Sequence, residues 1–138
     1  MNKILIVHTS WYSEYIDEMI QIATNVISES KYEYETTCAP GAIELAALGK
    51  YYLIKNESSF YSGILFLGIV IRGETTHYDL VTNEAFRSIG DIALTYPNIS
   101  VINNVLCVEN SDQLIQRLKI NTKNNTQALI ELINEKSS

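Results

Sequence analysis

The sequence has few of the residues that mark several common classes of protein. Its 138 residues include only two cysteines, Cys38 and Cys107, with no spacing typical of a metal site. Two thiols are too few for a disulfide framework, so we expect both to be buried on strands. Basic residues are also scarce, ten against sixteen acidic ones, and the net charge is −6. This balance argues against nucleic acid as a partner.

Long apolar runs are missing as well. No stretch reaches the length that spans a membrane, and the chain opens on a short β-branched run and not on the apolar core of a signal peptide. Because 46% of the residues are hydrophobic, the chain can still bury a sizeable core. The sequence therefore predicts one cytoplasmic domain over residues 1–138, with no membrane partner.

Apolar patterning predicts strands that alternate with helices. Apolar runs predict strands over 3–8, 62–71 and 99–108, and an alternating pattern predicts a strand over 32–39. Helical spacing predicts helices over 13–30, 41–56, 78–96, 111–120 and 126–136. Ser111 and Thr126 are the predicted N-caps of the last two helices. This order indicates an α/β fold, a three-layer α/β/α sandwich whose four-stranded parallel sheet carries helices on both faces.

Ligands of such open sheets bind outside the carboxyl ends of the strands, and the segment RGETTH, Arg72–His77, lies at one of these ends. Gly73 lets the backbone approach a ligand, and Thr75 offers a hydroxyl where a helix starts, a place that suits an anion. His77 can move protons near neutral pH. From the residues alone, an ordinary connection in which Thr76 caps the helix fits equally well.

Other strand ends supply weaker candidates. Trp11 and Tyr12 follow the first strand. They could stack on a planar heterocycle, although aromatic residues at such positions more often pack against other side chains of the protein. Glu44 could accept from sugar hydroxyls or serve the helix dipole. Arg117 could hold an anion or be a solvated helix cation.

Two stretches together resemble the signatures of the 6,7-dimethyl-8-ribityllumazine synthase family. They are PGAIE at 40–44 and GIVIRGETTHYDLVTNEA at 68–85, and the resemblance extends from about residue 3 to about residue 136. It implies a flavodoxin-like fold and an enzyme of riboflavin biosynthesis. Such enzymes condense 5-amino-6-(D-ribitylamino)uracil with 3,4-dihydroxy-2-butanone 4-phosphate to give 6,7-dimethyl-8-ribityllumazine, phosphate and water. No metal or organic cofactor is implied.

The resemblance also implies a role for individual residues. Tyr12 would stack on the pyrimidine, and the backbone of Ile69, Val70 and Ile71 would contact the pyrimidine edge. Ala42, Ile43 and Glu44 would hold the ribityl chain. The loop of Glu74 and Thr75 would bind phosphate, and His77 would transfer protons. Asn103 would contact the pyrimidine and Arg117 the phosphate, both from a neighbouring subunit. A shared site implies a homo-oligomer, either a homopentamer or an icosahedral shell of pentamers. Functional coupling to riboflavin synthase is also implied.

The chain departs from the family pattern at four places. Tyr12 replaces a Phe or Trp, and Ile43 replaces an aromatic residue. The segment KINTKNNT lacks the family's glycines and has Asn125 in place of a phosphate-binding lysine, for which Lys123 could substitute from a shifted loop. The chain also starts almost at its first strand, without the family's additional edge strand. The last two departures favour the pentamer.

Two other functions stay open at this point. A catalytically weak relative that carries or stores lumazine or flavin would fit the missing lysine, although His77, Thr75 and Arg117 argue for turnover. A flavodoxin or receiver module is disfavoured. The segment HTSWYS after the first strand has no acidic cluster and matches a flavin-phosphate loop poorly.

Overall fold

A computed structural model describes residues 3–57 and 60–137 of the chain, which form alternating strands and helices. The strands are β1 (Lys3–Thr9), β2 (Glu33–Ala39), β3 (Gly63–Ile71) and β4 (Ser100–Val108). The helices are α1 (Ser13–Glu29), α2 (Leu45–Lys55), α3 (His77–Thr95) and α4 (Ser111–Ser137). A short 3₁₀ turn, Ala42–Glu44, leads into α2.

The strands form one parallel sheet in the order β2-β1-β3-β4, which confirms the predicted fold class. The sheet is covered on both faces, so residues Gly63–Ile69 of β3 are all buried, as an apolar run without alternation predicts. The edge strand β2 is mostly exposed, with only Ala39 buried. Cys38 is therefore exposed and Cys107 is only half-buried, so the expectation that both thiols are buried is wrong.

Alternate residues of β1, β3 and β4 face two separate cores. Ile4 and Ile6 of β1 belong to the core beneath α1 and α4, whereas Leu5 and Val7 belong to the core beneath α2 and α3. The second helix layer lies very close to the sheet at Gly49. A Cβ there would come 2.9 Å from the Ile64 side chain, so the glycine permits this close approach. The two layers fix the loops that follow the strands.

The predicted break between two C-terminal helices is wrong, because α4 runs without interruption from Ser111 to Ser137. Thr126, the predicted N-cap, is fully buried in mid-helix, and its hydroxyl donates to the Thr122 carbonyl at 2.7 Å. Thr122 in turn accepts a hydrogen bond of 3.0 Å from buried Asn104 of β4. This bond to the sheet supports the helix through its polar middle.

Ser111 is not the side chain that caps α4. The Asn110 side-chain oxygen accepts from the Gln113 backbone N–H at 2.9 Å, which is the bond expected of an N-cap. The Gln113 side chain also accepts from the backbone N–H of Glu109 at 2.8 Å. The helix therefore begins one residue after its polar cap.

Within the described ranges, no helix combines the length and apolar character needed to cross a membrane.

Candidate active site

β3 extends beyond β1 at the carboxyl edge of the sheet. β1 pairs with β3 only as far as His8 and Leu67, whereas β3 continues to pair with β4 up to Ile71. Among the described strands, none pairs with the side of Ile69–Ile71 that would face β1. Strand order reverses between β1 and β3, the position at which open α/β sheets bind ligands.

A cleft of about 310 Å³ lies at this edge of the sheet. Its lining is Trp11, Tyr12, Gly41, Ala42, Ile43, Glu44, Ile69, Val70, Ile71, His77 and Val81. The cleft thus collects the ends of β1, β2 and β3 and the start of α3. In residues 3–57 and 60–137, no three His, Cys, Asp or Glu side chains are grouped as a metal site would require.

Tyr12 is held at the cleft by an unusual backbone conformation. Its φ of 60° and ψ of 53° lie in the left-handed region, which costs a non-glycine residue roughly 1–2 kcal/mol. The Tyr12 carbonyl accepts from the N–H groups of Tyr15 and Ile16 at 2.9 and 3.0 Å, so the first turn of α1 stabilises this geometry. The Tyr12 side chain is 44% exposed and available for contact with a ligand.

The turn after β2 presents Glu44 to the same cleft. The Glu44 N–H donates to the Gly41 carbonyl at 3.2 Å, which closes the short 3₁₀ turn. A Cβ at Gly41 would lie 3.0 Å from the Glu44 carboxylate, so the glycine lets that carboxylate fold over the turn. The Glu44 side chain makes no capping hydrogen bond to α2. Its carboxylate is therefore available to the cleft.

The loop between β3 and α3 is exposed throughout residues 72–77. Thr75, and not Thr76, supports the start of the helix, since its hydroxyl accepts from the His77 N–H at 3.2 Å. A Cβ at Gly73 would meet nothing within 4 Å, so the space beside this loop is open. Glu74 and Thr75 lie outside the cleft lining, which His77 joins as the first residue of α3.

Arg72 is bound on three sides at the start of this loop. Its Nε donates to Glu109 Oε1 at 2.8 Å, its guanidinium lies 3.3 Å from Asp79 Oδ1, and the ring centre of Tyr78 is 4.2 Å away. The hydrogen bond to Glu109 is the main reason that the pKa of Arg72 is raised, while burial raises the pKa of Tyr78. The cation beside the loop is therefore already shared between two carboxylates.

The predicted residues Asn103 and Arg117 do not line the cleft of their own chain. Asn103 is half-buried on β4, where its side-chain oxygen accepts from the Val105 N–H at 2.8 Å. Arg117 is exposed on α4 and donates to the Gln113 carbonyl at 3.4 Å. Helix α4 covers the face of the sheet opposite α3, so one chain does not bring Arg117 to His77.

The shifted loop considered for Lys123 is not present in the described residues, because α4 is continuous there. Lys123 lies within the uninterrupted α4 and not on a shifted loop. Its side chain borders a hollow with Val26 and Glu29 of α1, on the far side of the sheet from the cleft. Asn125 donates to the Asn104 side-chain oxygen at 2.7 Å, so it is turned toward the sheet.

Eight of the twelve predicted site residues line the cleft. Val81 also lines it, although no motif indicated it; it follows His77 by one helical turn, and that i+4 spacing is the only signal the sequence carries. Trp11 lines the cleft beside Tyr12, as its place after β1 suggests. The partners of Arg72 were also missed, because Glu109 is 37 residues away in the chain.

Comparison with known proteins gives one consistent result. Residues 1–137 match the family model of 6,7-dimethyl-8-ribityllumazine synthase. A curated protein of that name from Zymomonas mobilis is 37% identical over 124 residues, which are 90% of this chain and 86% of the relative. The proteins of that name from Bartonella bacilliformis and Agrobacterium fabrum are 35% and 34% identical, covering 88% and 87% of this chain and 78% and 82% of their own.

Proposed function

The chain belongs to the 6,7-dimethyl-8-ribityllumazine synthase family, an enzyme family of riboflavin biosynthesis, and we propose that the cleft beside β3 is its active site. The reaction joins 5-amino-6-(D-ribitylamino)uracil to 3,4-dihydroxy-2-butanone 4-phosphate and releases phosphate and water. One observation carries the assignment of the cleft: eight residues that the family motifs single out converge there from four separate segments.

The pyrimidine substrate fits the apolar and backbone part of the cleft. The exposed ring of Tyr12 offers a face for stacking on the planar heterocycle. The unpartnered side of Ile69–Ile71 offers backbone donors and acceptors to the carbonyl and N–H groups of the uracil edge. Glu44, beside Ala42 and Ile43, is placed to accept from ribityl hydroxyls.

Proton transfer is the main catalytic requirement of this condensation. An aryl amine attacks the ketone, water leaves to form an imine, phosphate is eliminated and the ring closes. His77 is exposed at the cleft and can take the proton from the attacking amine and return it to the leaving hydroxyl. Holding both substrates in one cleft supplies the rest of the acceleration by proximity.

The phosphate of the second substrate needs a cation, and no Lys or Arg lines the cleft among residues 3–57 and 60–137. The loop itself carries Glu74, and the charge of Arg72 is already shared by Asp79 and Glu109. A phosphate dianion there would face excess negative charge in an isolated subunit. We propose that Arg117 of a neighbouring subunit provides the missing cation beside Glu74 and Thr75, and that Asn103 arrives with it.

This arrangement requires a homo-oligomer with head-to-tail contacts, which closes as a ring. A homopentamer is the form we propose, and an icosahedral shell of pentamers is the larger alternative. Large apolar side chains at the cleft mouth, Trp11 at 65% and Ile43 at 42% exposure, are consistent with cover by a second copy. A cytoplasmic location and functional coupling to riboflavin synthase are part of the same proposal.

A turnover assay on the purified protein tests both parts. The two substrates are mixed with the protein, lumazine absorbance is followed, and light scattering after size exclusion gives the mass of the active species. Product formed by an oligomer of about five chains or more supports the proposal. Activity from a monomer would overturn the shared site, and an oligomer that binds both substrates without turnover would indicate a carrier.

A further inference from the structure

We propose that Arg72 is a positioning residue that clamps the loop of Glu74, Thr75 and His77 in its binding geometry. The proposal rests on the proposed function of that loop. The Arg72 side chain does not line the cleft, so it would act by holding other residues in place.

The contacts of Arg72 join three elements at the end of the sheet. Its N–H donates to the Val108 carbonyl at 2.9 Å, so its backbone still belongs to the ladder between β3 and β4. Its guanidinium then reaches Glu109, in the connection to α4, and Asp79, in the first turn of α3. The ring of Tyr78 lies against the cation at 4.2 Å.

The ion pair with Asp79 spans the loop from one end to the other. Residues 73–78 lie between its two partners, and residues 73–77 of this segment are exposed, with little packing of their own. The first turn of α3 is otherwise held by the Thr75 hydroxyl bond to the His77 N–H and by the Asp79 N–H bond to the Thr76 carbonyl. Closing the segment across its base lowers the conformational entropy that must be lost when phosphate binds.

An arginine suits this position better than a lysine. The guanidinium can bond two carboxylates in different directions while its face rests on an aromatic ring, whereas an ammonium is a single point charge. The side chain of Arg72 is 38% exposed, so each ion pair alone has a small effect and the three contacts act together.

The test compares Arg72→Lys and Arg72→Ala with Arg87→Ala. Arg87 is a matched control, because it too bonds two carboxylates, Glu84 and Asp91, but all three lie on α3 and join no separate elements. We expect KM for the butanone phosphate to rise roughly 10-fold in Arg72→Ala and about 3-fold in Arg72→Lys, with KM for the pyrimidine nearly unchanged. Amide exchange at His77 and Asp79 should become about 10-fold faster in Arg72→Ala and stay unchanged in Arg87→Ala.

Equal KM values and equal exchange rates in wild type and Arg72→Ala would overturn the clamp. So would a parallel rise of both KM values together with general destabilisation, since this would indicate a merely structural role. Amide exchange needs no substrate, so it decides the clamp even where the proposed function fails. If wild-type protein forms no lumazine, the function is wrong, while faster exchange confined to the loop would still support the clamp.

Discussion

His77 is the residue whose replacement tests the chemistry most cleanly. Its side chain is exposed at the start of α3, so His77→Ala and His77→Asn should fold normally. We expect turnover to fall by about 10- to 10⁴-fold, the range for loss of a general acid–base, with the larger part in kcat. Steady-state kinetics at several pH values measure this, and an unchanged rate would remove His77 from the mechanism.

The two cysteines should react very differently with a thiol reagent. Burial raises the pKa of the Cys107 thiol to about 11, while Cys38 is exposed on the edge strand β2. At pH 8 only roughly a thousandth of Cys107 would be thiolate, so one fast labelling event per chain is expected, and Cys38→Ser should remove it. Two equally fast events would contradict the burial of Cys107.

The raised pKa of Cys107 also makes the folding stability depend on pH. The folded-state pKa of Cys107 lies above the ordinary value of 9.0, so the protonated thiol favours folding at neutral pH. That contribution is present in full below about pH 9 and is lost as the pH rises toward 11.

At the scale of single residues, the motifs predicted which residues line the cleft better than they predicted the contacts beside it. Tyr12, Glu44 and His77 were predictable because short signatures place them at strand ends. The three-sided binding of Arg72 was not, since it depends on Glu109, whose position follows only from the pairing of β3 with β4.

Helix α4 depends on a buried polar contact with the sheet. Thr122→Val removes the acceptor of the Asn104 amide in a buried setting and should lower the free energy of unfolding by about 1–3 kcal/mol. Thr126→Val is the matched control, because Thr126 is equally buried but its hydroxyl bonds only within its own helix. It should cost less than about 1 kcal/mol.

Denaturant unfolding at a fixed protein concentration measures both variants. Equal decreases in the free energy of unfolding of Thr122→Val and Thr126→Val would show that the bond between Asn104 and Thr122 adds no stability beyond that of a hydrogen bond within the helix.

The continuity of α4 also explains where the sequence misleads. The segment NTKNNT is rich in Asn and Thr, which have low helix propensity and favour caps and turns. Burial of Thr122 and Thr126 against β4 overrides that local preference. The other helices and strands β1, β3 and β4 were predictable, because their apolar patterns and their burial agree.

At the scale of the whole molecule, the proposed active site takes residues from two neighbouring subunits. Arg117→Ala should raise KM for the butanone phosphate by about 10- to 100-fold, the loss expected for one charge-assisted bond to phosphate, with little effect on the pyrimidine. Lys119→Ala removes an equal charge from the exposed surface of α4 and should change neither constant appreciably. A larger effect on the pyrimidine would show that Arg117 is misplaced.

The most direct test mixes two impaired proteins and assays them at a butanone phosphate concentration well below the wild-type KM, where each variant alone loses most of its activity. His77→Ala and Arg117→Ala subunits are unfolded, combined in equal amounts and refolded together, and lumazine formation is compared with that of each variant refolded alone. If every cleft takes His77 from one chain and Arg117 from its neighbour, random mixing restores both residues in about a quarter of the clefts, so the mixture regains about a quarter of wild-type activity. Activity no higher than the mean of the two variants, in oligomers shown to contain both, would contradict the shared site.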